Sequence, residues 1–359
     1  MVEDLRGRDL LSKEALQGSE ILLIGSEGYI GTAIKAALAG HSIYSPSMST
    51  LDITRPSLID EAIGSLGGDL VVMAVGFTNV SGIEENDALY QKAIEVNFLG
   101  IKNVAEACFR EGKRMIYIGG SGYERAGSLD YPGPHLEGDP FADEVEEMEL
   151  LGRYAETKRF GSRAVMEAFK GDPSRLAVLY FDYPCGVVEG VGIDYQRPYY
   201  LQTLLINYER GIPPFGGQGL TITLVEDIAK VVRLIAREKL FGVFNVAAKG
   251  RTTPYLLTEH MIRELEGDEV ARQIKIGSIL KYQATLRQKG RESVYPVSGG
   301  LDSRYTEERL AAVEPDFAFL DWKKAVGRLM EGPGGLREFW QFLHTPEGRM
   351  RYKLPSLEA

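Results

Sequence analysis

Cysteine is scarce in this sequence of 359 residues, which holds only two cysteines, Cys108 and Cys185. Two cysteines so far apart are more simply explained as reduced thiols than as a disulfide framework, so we expect a reducing, cytoplasmic compartment. Long apolar runs are also missing, because no stretch approaches the roughly 20 residues that a membrane-spanning helix needs. Residues 1–19 are predicted to be a charged N-terminal extension, since they lack the apolar centre of a secretory signal.

Positive charge is in deficit as well, with 41 Lys and Arg against 51 Asp and Glu and a formal net charge of -10. No basic run interleaves with aromatic residues, so the electrostatic attraction that drives nucleic-acid binding has no source in the sequence. The 4 histidines are scattered without the spacing of a metal site. We therefore expect no nucleic-acid partner, no membrane partner and no bound metal, which leaves a small-molecule substrate as the expected partner.

Short apolar runs of strand length alternate with helical patterns along much of the chain. The runs cover residues 20–25, 69–76, 114–120, 175–182 and 241–248, and the helical patterns cover residues 29–39, 87–111, 152–169 and 225–238. Such alternation is typical of βα units arranged around a parallel sheet. We therefore predict an α/β fold, a Rossmann-type doubly wound parallel sheet with a smaller C-terminal substrate-binding lobe.

The predicted domain boundary lies near residue 182, where segments rich in tyrosine, proline and glycine replace the alternation of strands and helices. Residues 20–182 are predicted to form the dinucleotide-binding Rossmann domain. Residues 183–359 are predicted to be mainly the substrate-binding lobe, with residues 220–250 returning to the Rossmann sheet.

Three glycines, Gly25, Gly28 and Gly31, separate the first apolar run from the first helical pattern. One interpretation is a tight turn that brings the backbone close to the pyrophosphate of a dinucleotide at the helix N-terminus. The alternative is an ordinary strand-to-helix turn in which the glycines serve packing alone. Their position between a strand and a helix favours the dinucleotide.

An NAD site of this type expects an acidic residue about 20 positions after the first glycine, where it accepts hydrogen bonds from the ribose hydroxyls. The corresponding segment carries Ser45 and Ser47 and no carboxylate, so a 2′-phosphate would not be repelled. We therefore expect NADP or NAD as the cofactor, with NADP favoured. Asp52 has two open interpretations, a contact with the adenine edge or the cap of the helix that follows it.

Tyr154 and Lys158 lie four residues apart in a helical pattern and therefore share one helix face. A lysine ammonium beside a phenol stabilises the phenolate and lowers its pKa, so the tyrosine can exchange a proton with a carbinol oxygen. The alternative for this pair is a solvated helix face. Ser121 either holds the substrate oxygen or is a turn serine. Asn97 is either a hydrogen-bonded core residue or part of a proton path to Lys158.

These segments follow one another in an order that defines a known family. Along the chain they read "GSEGYIG", "LDIT", "VVMAVGFTNV", "VNFLGIKNVAEAC", "YIGGSGY", "YAETK", and "VEDIAKVV" before "GVFNVAA". Over residues 20–250 the sequence thereby resembles the extended short-chain dehydrogenase/reductase family, the NAD(P)-dependent epimerase/dehydratase group. "AVGFTNVSGIEEN" followed by "VNFLGIKNVAEAC" looks most like the dTDP-4-dehydrorhamnose reductase branch.

The resemblance implies an enzyme that transfers a hydride between NAD(P) and a keto or hydroxyl group of a sugar or nucleotide sugar, with a reductase favoured. It implies a catalytic triad of Ser121, Tyr154 and Lys158, supported by Asn97. It also implies a homodimer that pairs through helices 87–111 and 152–169. The complete set of expected cofactor contacts is Gly25, Gly28, Tyr29, Ile30, Gly31, Ser45, Asp52, Ala74, Val75, Gly76, Tyr154, Lys158 and Pro184.

Two departures from the family pattern narrow the function. Gly122 and Tyr123 follow Ser121, where family dehydratases carry an acidic pair, and this argues against dehydration. No arginine follows the glycines of "GGQG", where many members hold a substrate pyrophosphate, and Arg197 is a candidate substitute. Two alternatives to the reductase stay open, a nucleotide-sugar 4-epimerase with tightly bound NAD and a non-catalytic dinucleotide-binding regulatory protein.

Overall fold

The computed structural model describes residues 11–120, 133–144, 152–188, 198–290, 295 and 299–355. Its strands are β1 (Ile21–Ile24), β2 (Ile43–Tyr44), β3 (Leu70–Met73), β4 (Arg114–Ile118), β5 (Leu176–Phe181), β6 (Pro184–Cys185), β7 (Thr223–Leu224) and β8 (Gly242–Val246). Its helices are α1 (Lys13–Gln17), α2 (Tyr29–Ala37), α3 (Pro56–Ser65), α4 (Val80–Glu85), α5 (Asp87–Ile94), α6 (Ile101–Arg110), α7 (Arg153–Ala168), α8 (Tyr200–Glu209), α9 (Val225–Glu238), α10 (Pro254–Glu266), α11 (Asp268–Ala271), α12 (Ile279–Gln288), α13 (Arg304–Ala311), α14 (Trp322–Met330), α15 (Leu336–Leu343) and α16 (Pro346–Tyr352). Among these described helices, none has the length and apolar character that a membrane span requires.

Within the described residues, the main sheet has six strands in the order β2-β1-β3-β4-β5-β8. Strand β1 pairs in parallel with β2 and β3, and β4 pairs in parallel with β3 and β5. Every residue of β1 and of β3 is buried, as expected for a parallel sheet that helices cover on both faces. The predicted α/β fold with a Rossmann-type sheet is confirmed.

The strand order reverses direction at β1, because β2 lies on one side of it and β3 on the other. Open α/β sheets bind ligands at such a reversal, beyond the carboxyl ends of the strands. The register pairs Ile24 with Met73, so β1 and β3 end at the same level. The next residues, Gly25 and Ala74, are therefore neighbours, and the Ala74 N–H donates to the carbonyl of Ile24 at 2.9 Å.

A π-helical turn at Glu95–Gly100 joins α5 to α6. The sequence predicts one regular helix over residues 87–111, so this turn is a departure from the expected pattern. A π-turn inserts an extra residue into a helix and frequently marks a functional site. Asn97 lies within it and is fully buried at 0% exposure.

The described residues divide into two compact units, named here the first unit and the second unit. The first unit holds residues 11–120, 152–180 and 228–244, and the second holds the described residues within 133–144, 181–227 and 245–355. The two units hold similar numbers of described residues. Helices α14, α15 and α16 contribute their own buried residues to the second unit's core.

The second unit is built around a short parallel pair of strands, β6 and β7, in which Pro184 pairs with Thr223. Helices surround this pair and bury an apolar core, with Leu205, Leu257 and Phe339 fully inaccessible at 0% exposure. The strands and helices that contribute to this core do not alternate regularly along the chain. This agrees with the sequence, in which the alternation of strand and helix patterns ends near residue 182.

Residues 133–144 also belong to the second unit, whereas the sequence placed them in the first domain. Hydrogen bonds to distant residues explain the difference. The His135 N–H donates to the carbonyl of Gly300 at 2.8 Å, and the Thr306 hydroxyl donates to the Glu137 carboxylate at 2.8 Å. Both bonds are formed with groups that follow far along the chain, so no local pattern indicates them.

Candidate active site

The glycine turn connects β1 to α2 in the first unit. Gly25 has φ of 90°, a backbone conformation that favours glycine, and a Cβ there would lie 2.7 Å from the Ala74 carbonyl oxygen. A Cβ at Gly31 would lie 1.9 Å from the carbonyl oxygen of Gly25. Packing thus accounts for Gly25 and Gly31. Gly28 is less crowded, since its Cβ would approach Gly25 only to 3.4 Å.

Helix α2 begins at this turn with no side-chain cap, because its N-cap residue is Gly28. The first amide groups of a helix have no acceptors within the helix, and the helix dipole adds positive potential at that end. An anion such as a phosphate is the ligand that suits this position. Tyr29 begins the helix and is 39% exposed, and Ile30 is half-buried beside it.

The segment after β2 carries hydroxyl groups where an NAD site would carry an acid. Ser45 is half-buried and follows the strand directly. The Ser47 hydroxyl lies 2.7 Å from that of Ser49 and 3.0 Å from that of Thr50. These groups can donate hydrogen bonds to an anionic ligand and carry no negative charge that would repel it.

Asp52 closes a turn on its own chain. Its Oδ1 accepts from the Thr54 N–H at 2.9 Å and from the Thr54 hydroxyl at 2.8 Å. Burial opposes ionisation of Asp52, but the Thr54 hydrogen bonds outweigh it and lower the pKa of the carboxyl. The interpretation of Asp52 as a helix cap was wrong, because Arg55 occupies the N-cap position of α3. A turn follows Asp52, in which the Arg55 N–H donates to the Asp52 carbonyl at 3.0 Å, and α3 begins only after this turn.

Tyr154 and Lys158 lie in the first two turns of α7. Both are buried, at 8% and 5% exposure, so the interpretation of the pair as a solvated helix face was wrong. The Lys158 Nζ is 3.7 Å from the position that a Cβ on Gly76 would occupy. Gly76 follows Ala74 and Val75 after β3, so α7 brings the ammonium group to the carboxyl end of the central strands.

Asn97 connects the segment after β3 to α7. Its Oδ1 accepts from the Phe77 N–H at 2.7 Å, and its Nδ2 donates to the Phe77 carbonyl at 3.0 Å and to the Thr157 hydroxyl at 3.1 Å. Both side-chain N–H donors are thereby used. Of its two interpretations, the hydrogen-bonded core residue agrees with this geometry, and a proton path through its amide N–H to Lys158 does not.

Helix α5 holds the first turn of α7. The Tyr90 hydroxyl donates to the Glu156 carboxylate at 2.5 Å, and Arg153 pairs with Asp87 at 2.7 Å. Burial and the adjacent carboxylate raise the pKa of Tyr90 to about 12, so its phenol stays protonated and donates at neutral pH. The N-terminal turn of α7 is thus fixed by side chains from another helix.

Three predicted residues remain to be placed. Pro184 lies in β6 of the second unit and is half-buried. Ser121, the predicted third member of the catalytic group, lies outside the described residues, as does Arg197.

Arg251 is a candidate binding residue that the sequence did not indicate. Its guanidinium fills the space beside Gly219 in the "GGQG" segment, where a Cβ would lie 2.0 Å from one guanidinium nitrogen. Backbone hydrogen bonds between Leu220 and Thr252, at 2.9 and 2.8 Å, join the two segments. Arg251 is exposed as a whole residue, but the partial burial of its guanidinium lowers its pKa, so a neighbouring anion would stabilise its charge. Although no arginine follows "GGQG" in the sequence, Arg251 from a different part of the second unit therefore lies beside this segment.

The other end of the same segment is aromatic. Phe215 contacts Tyr282 with ring centroids 5.3 Å apart, and Tyr282 contacts Tyr295 at 6.3 Å. The Gly216 N–H donates to the Gly277 carbonyl at 3.1 Å, and the Gly277 N–H donates to the Pro214 carbonyl at 2.8 Å, so this segment is held against the residues before α12. The second unit thus places aromatic rings and a guanidinium along one short segment, residues 215–219.

The two cysteines are free and buried, and burial raises the pKa of each thiol. Neither thiol is therefore prepared to act as a nucleophile at neutral pH. In the described part of the chain, no cluster of His, Cys, Asp and Glu has the arrangement of a metal site.

Comparison with known proteins identifies the family to which the chain belongs. A family model described as the RmlD substrate binding domain matches residues 19–289. Over 162 residues the chain is 31% identical to a dTDP-4-dehydrorhamnose reductase of Mycobacterium tuberculosis, a match that covers 43% of this chain and 47% of that protein. In this match the chain spans about half the length of its curated relative.

Solved structures share the fold over most of the chain. A dTDP-4-dehydrorhamnose reductase of Bacillus anthracis in complex with NADP has a TM-score of 0.65 at 16% identity, covering 86% of this chain and 98% of that one. The Bordetella bronchiseptica enzyme WbmG in complex with NAD has a TM-score of 0.62 at 17% identity, covering 90% of this chain and 95% of that one. At these identities the likeness establishes the fold.

Proposed function

Because the chain belongs to the RmlD substrate binding domain family, within the extended short-chain dehydrogenases/reductases, we propose that it is an NAD(P)-dependent reductase of a nucleotide sugar. The observation that carries this proposal is the burial of Tyr154 and Lys158, one helical turn apart, with the ammonium beside Gly76 at the carboxyl end of β3. The related reductase of Mycobacterium tuberculosis supports the reaction class.

The residues of the first unit fit a dinucleotide. The uncapped N-terminus of α2 suits its diphosphate, and Gly28, which packing does not explain, allows the backbone to approach that group closely. Tyr29 and Ile30 border the same position, and Ala74, Val75 and Gly76 would line the rest of the cofactor. When bound in its reduced form, this cofactor supplies the hydride.

NADP is the favoured form of the cofactor in this proposal. The support is the segment after β2, where Ser45 and Ser47 offer hydroxyl donors and no carboxylate. A carboxylate at this place would repel the 2′-phosphate of NADP, whereas hydroxyl groups bind it. Asp52 contacts the adenine edge in this proposal through the carboxylate oxygen that Thr54 leaves available.

Proton transfer belongs to the protein's own residues. The Tyr154 phenol donates its proton to the keto oxygen of the substrate, which becomes a hydroxyl group as the hydride reaches the carbon. The Lys158 ammonium stabilises the phenolate that remains. Ser121 holds the substrate oxygen by a hydrogen bond, and Asn97 supports the arrangement through its contacts with Phe77 and Thr157.

The substrate is proposed to be a nucleotide sugar because the second unit offers groups for the diphosphate and for the base of its nucleotide part. The Arg251 guanidinium at Gly219 suits a diphosphate, since arginine binds phosphate oxygens with two parallel donors. The rings of Phe215 and Tyr282 suit a stacked base. Pro184 is retained in this proposal as a cofactor contact in β6.

The protein is proposed to act as a homodimer in the cytoplasm. Exposed apolar surface at the π-helical turn supports self-association, since Leu99 is 44% exposed and Phe98 contacts Phe160 with ring centroids 5.5 Å apart. The two buried free thiols support a reducing compartment.

Hydride tracing tests the proposed reaction. The purified chain is incubated with dTDP-4-dehydrorhamnose and other nucleotide keto sugars, together with NADPH or NADH deuterated at the transferable position. We expect one cofactor oxidised per product and deuterium on the new carbinol carbon. An interconversion of epimers without net oxidation of cofactor would contradict the reductase, and the absence of any turnover across these substrates would contradict the enzyme.

A further inference from the structure

Helix α7 begins without a cap of its own, because its N-cap residue is Gly152 and no side-chain bond is formed from that residue. The first amide groups of a helix need acceptors from elsewhere. Glu84, in α4, supplies them. Its Oε2 accepts from the Arg153 N–H at 3.1 Å, and its Oε1 accepts from the Tyr154 N–H at 2.8 Å. The Glu84 carboxylate, 69 residues before Arg153 and 70 residues before Tyr154, thus caps the helix.

Gly152 leaves room for this carboxylate. A Cβ at this position would lie 2.3 Å from the Glu84 Oε2. The backbone of Gly152 has φ of -56°, which any residue adopts, so conformation does not require a glycine here. The missing side chain at residue 152 is instead explained by the position of the Glu84 carboxylate.

The backbone of Tyr154 is held on both sides. Its N–H donates to Glu84, and its carbonyl accepts from the Thr157 hydroxyl at 2.8 Å. Thr157 in turn accepts from the Asn97 Nδ2 at 3.1 Å, and Asn97 also holds Phe77. The tyrosine therefore belongs to a network of hydrogen bonds that reaches the segment after β3.

The Glu84 end of the network is fixed as well. Asn79, which lies two residues after Phe77 in the chain, caps α4 by accepting from the Gly82 N–H at 3.2 Å. Bonds from amide groups to a carboxylate are stronger than bonds between neutral groups, and a negative charge at a helix N-terminus is favourable. The Glu84 carboxylate thus fixes the first two amide groups of α7, alongside the bonds that Asn97 forms with Thr157 and Tyr90 forms with Glu156.

We propose that Glu84 is a positioning residue for the reaction, which fixes the backbone of Tyr154 so that its phenol reaches the substrate oxygen. This inference rests on the proposed function, because it assigns Glu84 a role only through Tyr154. Proton transfer is sensitive to such placement, since a shift of about 1 Å in a catalytic group can reduce the rate about a hundredfold.

Two variants remove the same contact from opposite sides. Glu84→Gln keeps the size of the side chain but can accept only one of the two amide bonds, and Gly152→Ala displaces the carboxylate without changing it. We expect kcat to fall roughly ten- to a hundredfold in each, with unchanged KM and unchanged cofactor affinity. The double variant should be no slower than the slower single variant, because both changes break one interaction.

Two further measurements separate positioning from general stability. Amide hydrogen exchange at Arg153 and Tyr154 should accelerate in both variants. Thr345→Ala is the control, since it removes the cap of α16 in the second unit, where Thr345 accepts from Gly348 at 3.1 Å. That variant should lose thermal stability and keep its kcat.

The outcomes distinguish this inference from the proposed function. Wild-type kcat in Glu84→Gln and Gly152→Ala, alongside an inactive Tyr154→Phe variant, would overturn the positioning role alone. Wild-type kcat in Tyr154→Phe would overturn the proposed function, and the role of Glu84 in catalysis with it. A fall in kcat that only follows the loss of thermal stability, as in Thr345→Ala, would also overturn the positioning role.

Discussion

The two compact units differ in how their proposed functional residues are distributed along the chain. In the first unit these residues follow the ends of short strands or repeat along one helix, as Gly25 does after β1 and Lys158 does one turn after Tyr154. In the second unit Arg251 reaches Gly219 from a segment 32 residues away. Binding residues that follow strand ends can be recognised from a local sequence pattern, whereas binding residues that come from separate loops cannot.

This difference has a chemical counterpart in the proposed function. The first unit supplies proton transfer and, apart from Pro184, the proposed cofactor contacts, so changes there should act on kcat or on the cofactor. The second unit supplies substrate recognition, so changes there should act on the KM of the nucleotide sugar. Each prediction below tests one side of this division, beginning with the largest expected effect.

Lys158→Met should give the largest loss. Removing the ammonium destabilises the Tyr154 phenolate, and we expect kcat to fall about 10²- to 10⁴-fold, the usual range for an acid–base group. Steady-state kinetics with NADPH and a nucleotide keto sugar measures it. Lys170→Met is the matched control, because Lys170 is an exposed lysine whose side chain is 76% accessible. An equal loss in both variants would contradict the assignment of Lys158.

Gly31→Ala should destabilise the first unit. The added Cβ overlaps the carbonyl oxygen of Gly25 at 1.9 Å, and such overpacking costs about 1 to 3 kcal/mol of unfolding free energy. Chemical denaturation measures this change, and the affinity for the dinucleotide should weaken with it. Gly64→Ala in α3 is the control, since its Cβ meets nothing within 4 Å. Equal stability of the two variants would show that the glycine turn is not closely packed.

Arg251→Ala should weaken substrate binding by the second unit. Loss of a charged hydrogen bond to a diphosphate costs at least about 1.4 kcal/mol, so KM for the nucleotide sugar should rise about tenfold. We expect kcat and cofactor affinity to stay unchanged. Arg272→Ala, a change at another exposed arginine of the second unit, is the control. A fall in kcat without a rise in KM would remove Arg251 from substrate binding.

Ser45→Asp should give the smallest effect. A carboxylate after β2 repels the 2′-phosphate of NADP, and one exposed charge contributes up to about 1 kcal/mol, or about a fivefold change in preference. The ratio of kcat/KM for NADPH and NADH should move toward NADH by this factor. Ser45→Asn, which adds no charge, should leave the ratio unchanged. An unaltered ratio in both variants would show that Ser45 does not face the ribose.

Much of the first unit could be predicted from the sequence because its signals are local. Apolar runs indicated β1, β3, β4 and β5, and the spacing of Tyr154 and Lys158 indicated a shared helix face, which the structure places in α7. The pattern did not indicate the π-helical turn, in which Asn97 accepts a hydrogen bond from Phe77, twenty residues earlier in the chain. The interpretation of Asp52 as a helix cap was wrong because α3 begins only after Arg55.

Residues that act across long separations were outside the reach of sequence reasoning. Glu84 caps α7 from 70 residues before Tyr154, and its only local trace is a glycine at residue 152. Residues 133–144 joined the second unit through bonds to Gly300 and Thr306 that no periodicity shows. Burial and partners of such residues depend on the tertiary fold.

The central claim, that Tyr154 donates the proton in the reduction of a nucleotide keto sugar, is tested most directly by Tyr154→Phe. The measurement is NADPH oxidation under saturating substrate, together with NADPH affinity by direct titration. The account predicts a kcat at least about a hundredfold lower, with cofactor affinity close to that of the unmodified protein. A variant that binds NADPH and reduces the substrate at the original rate would contradict it.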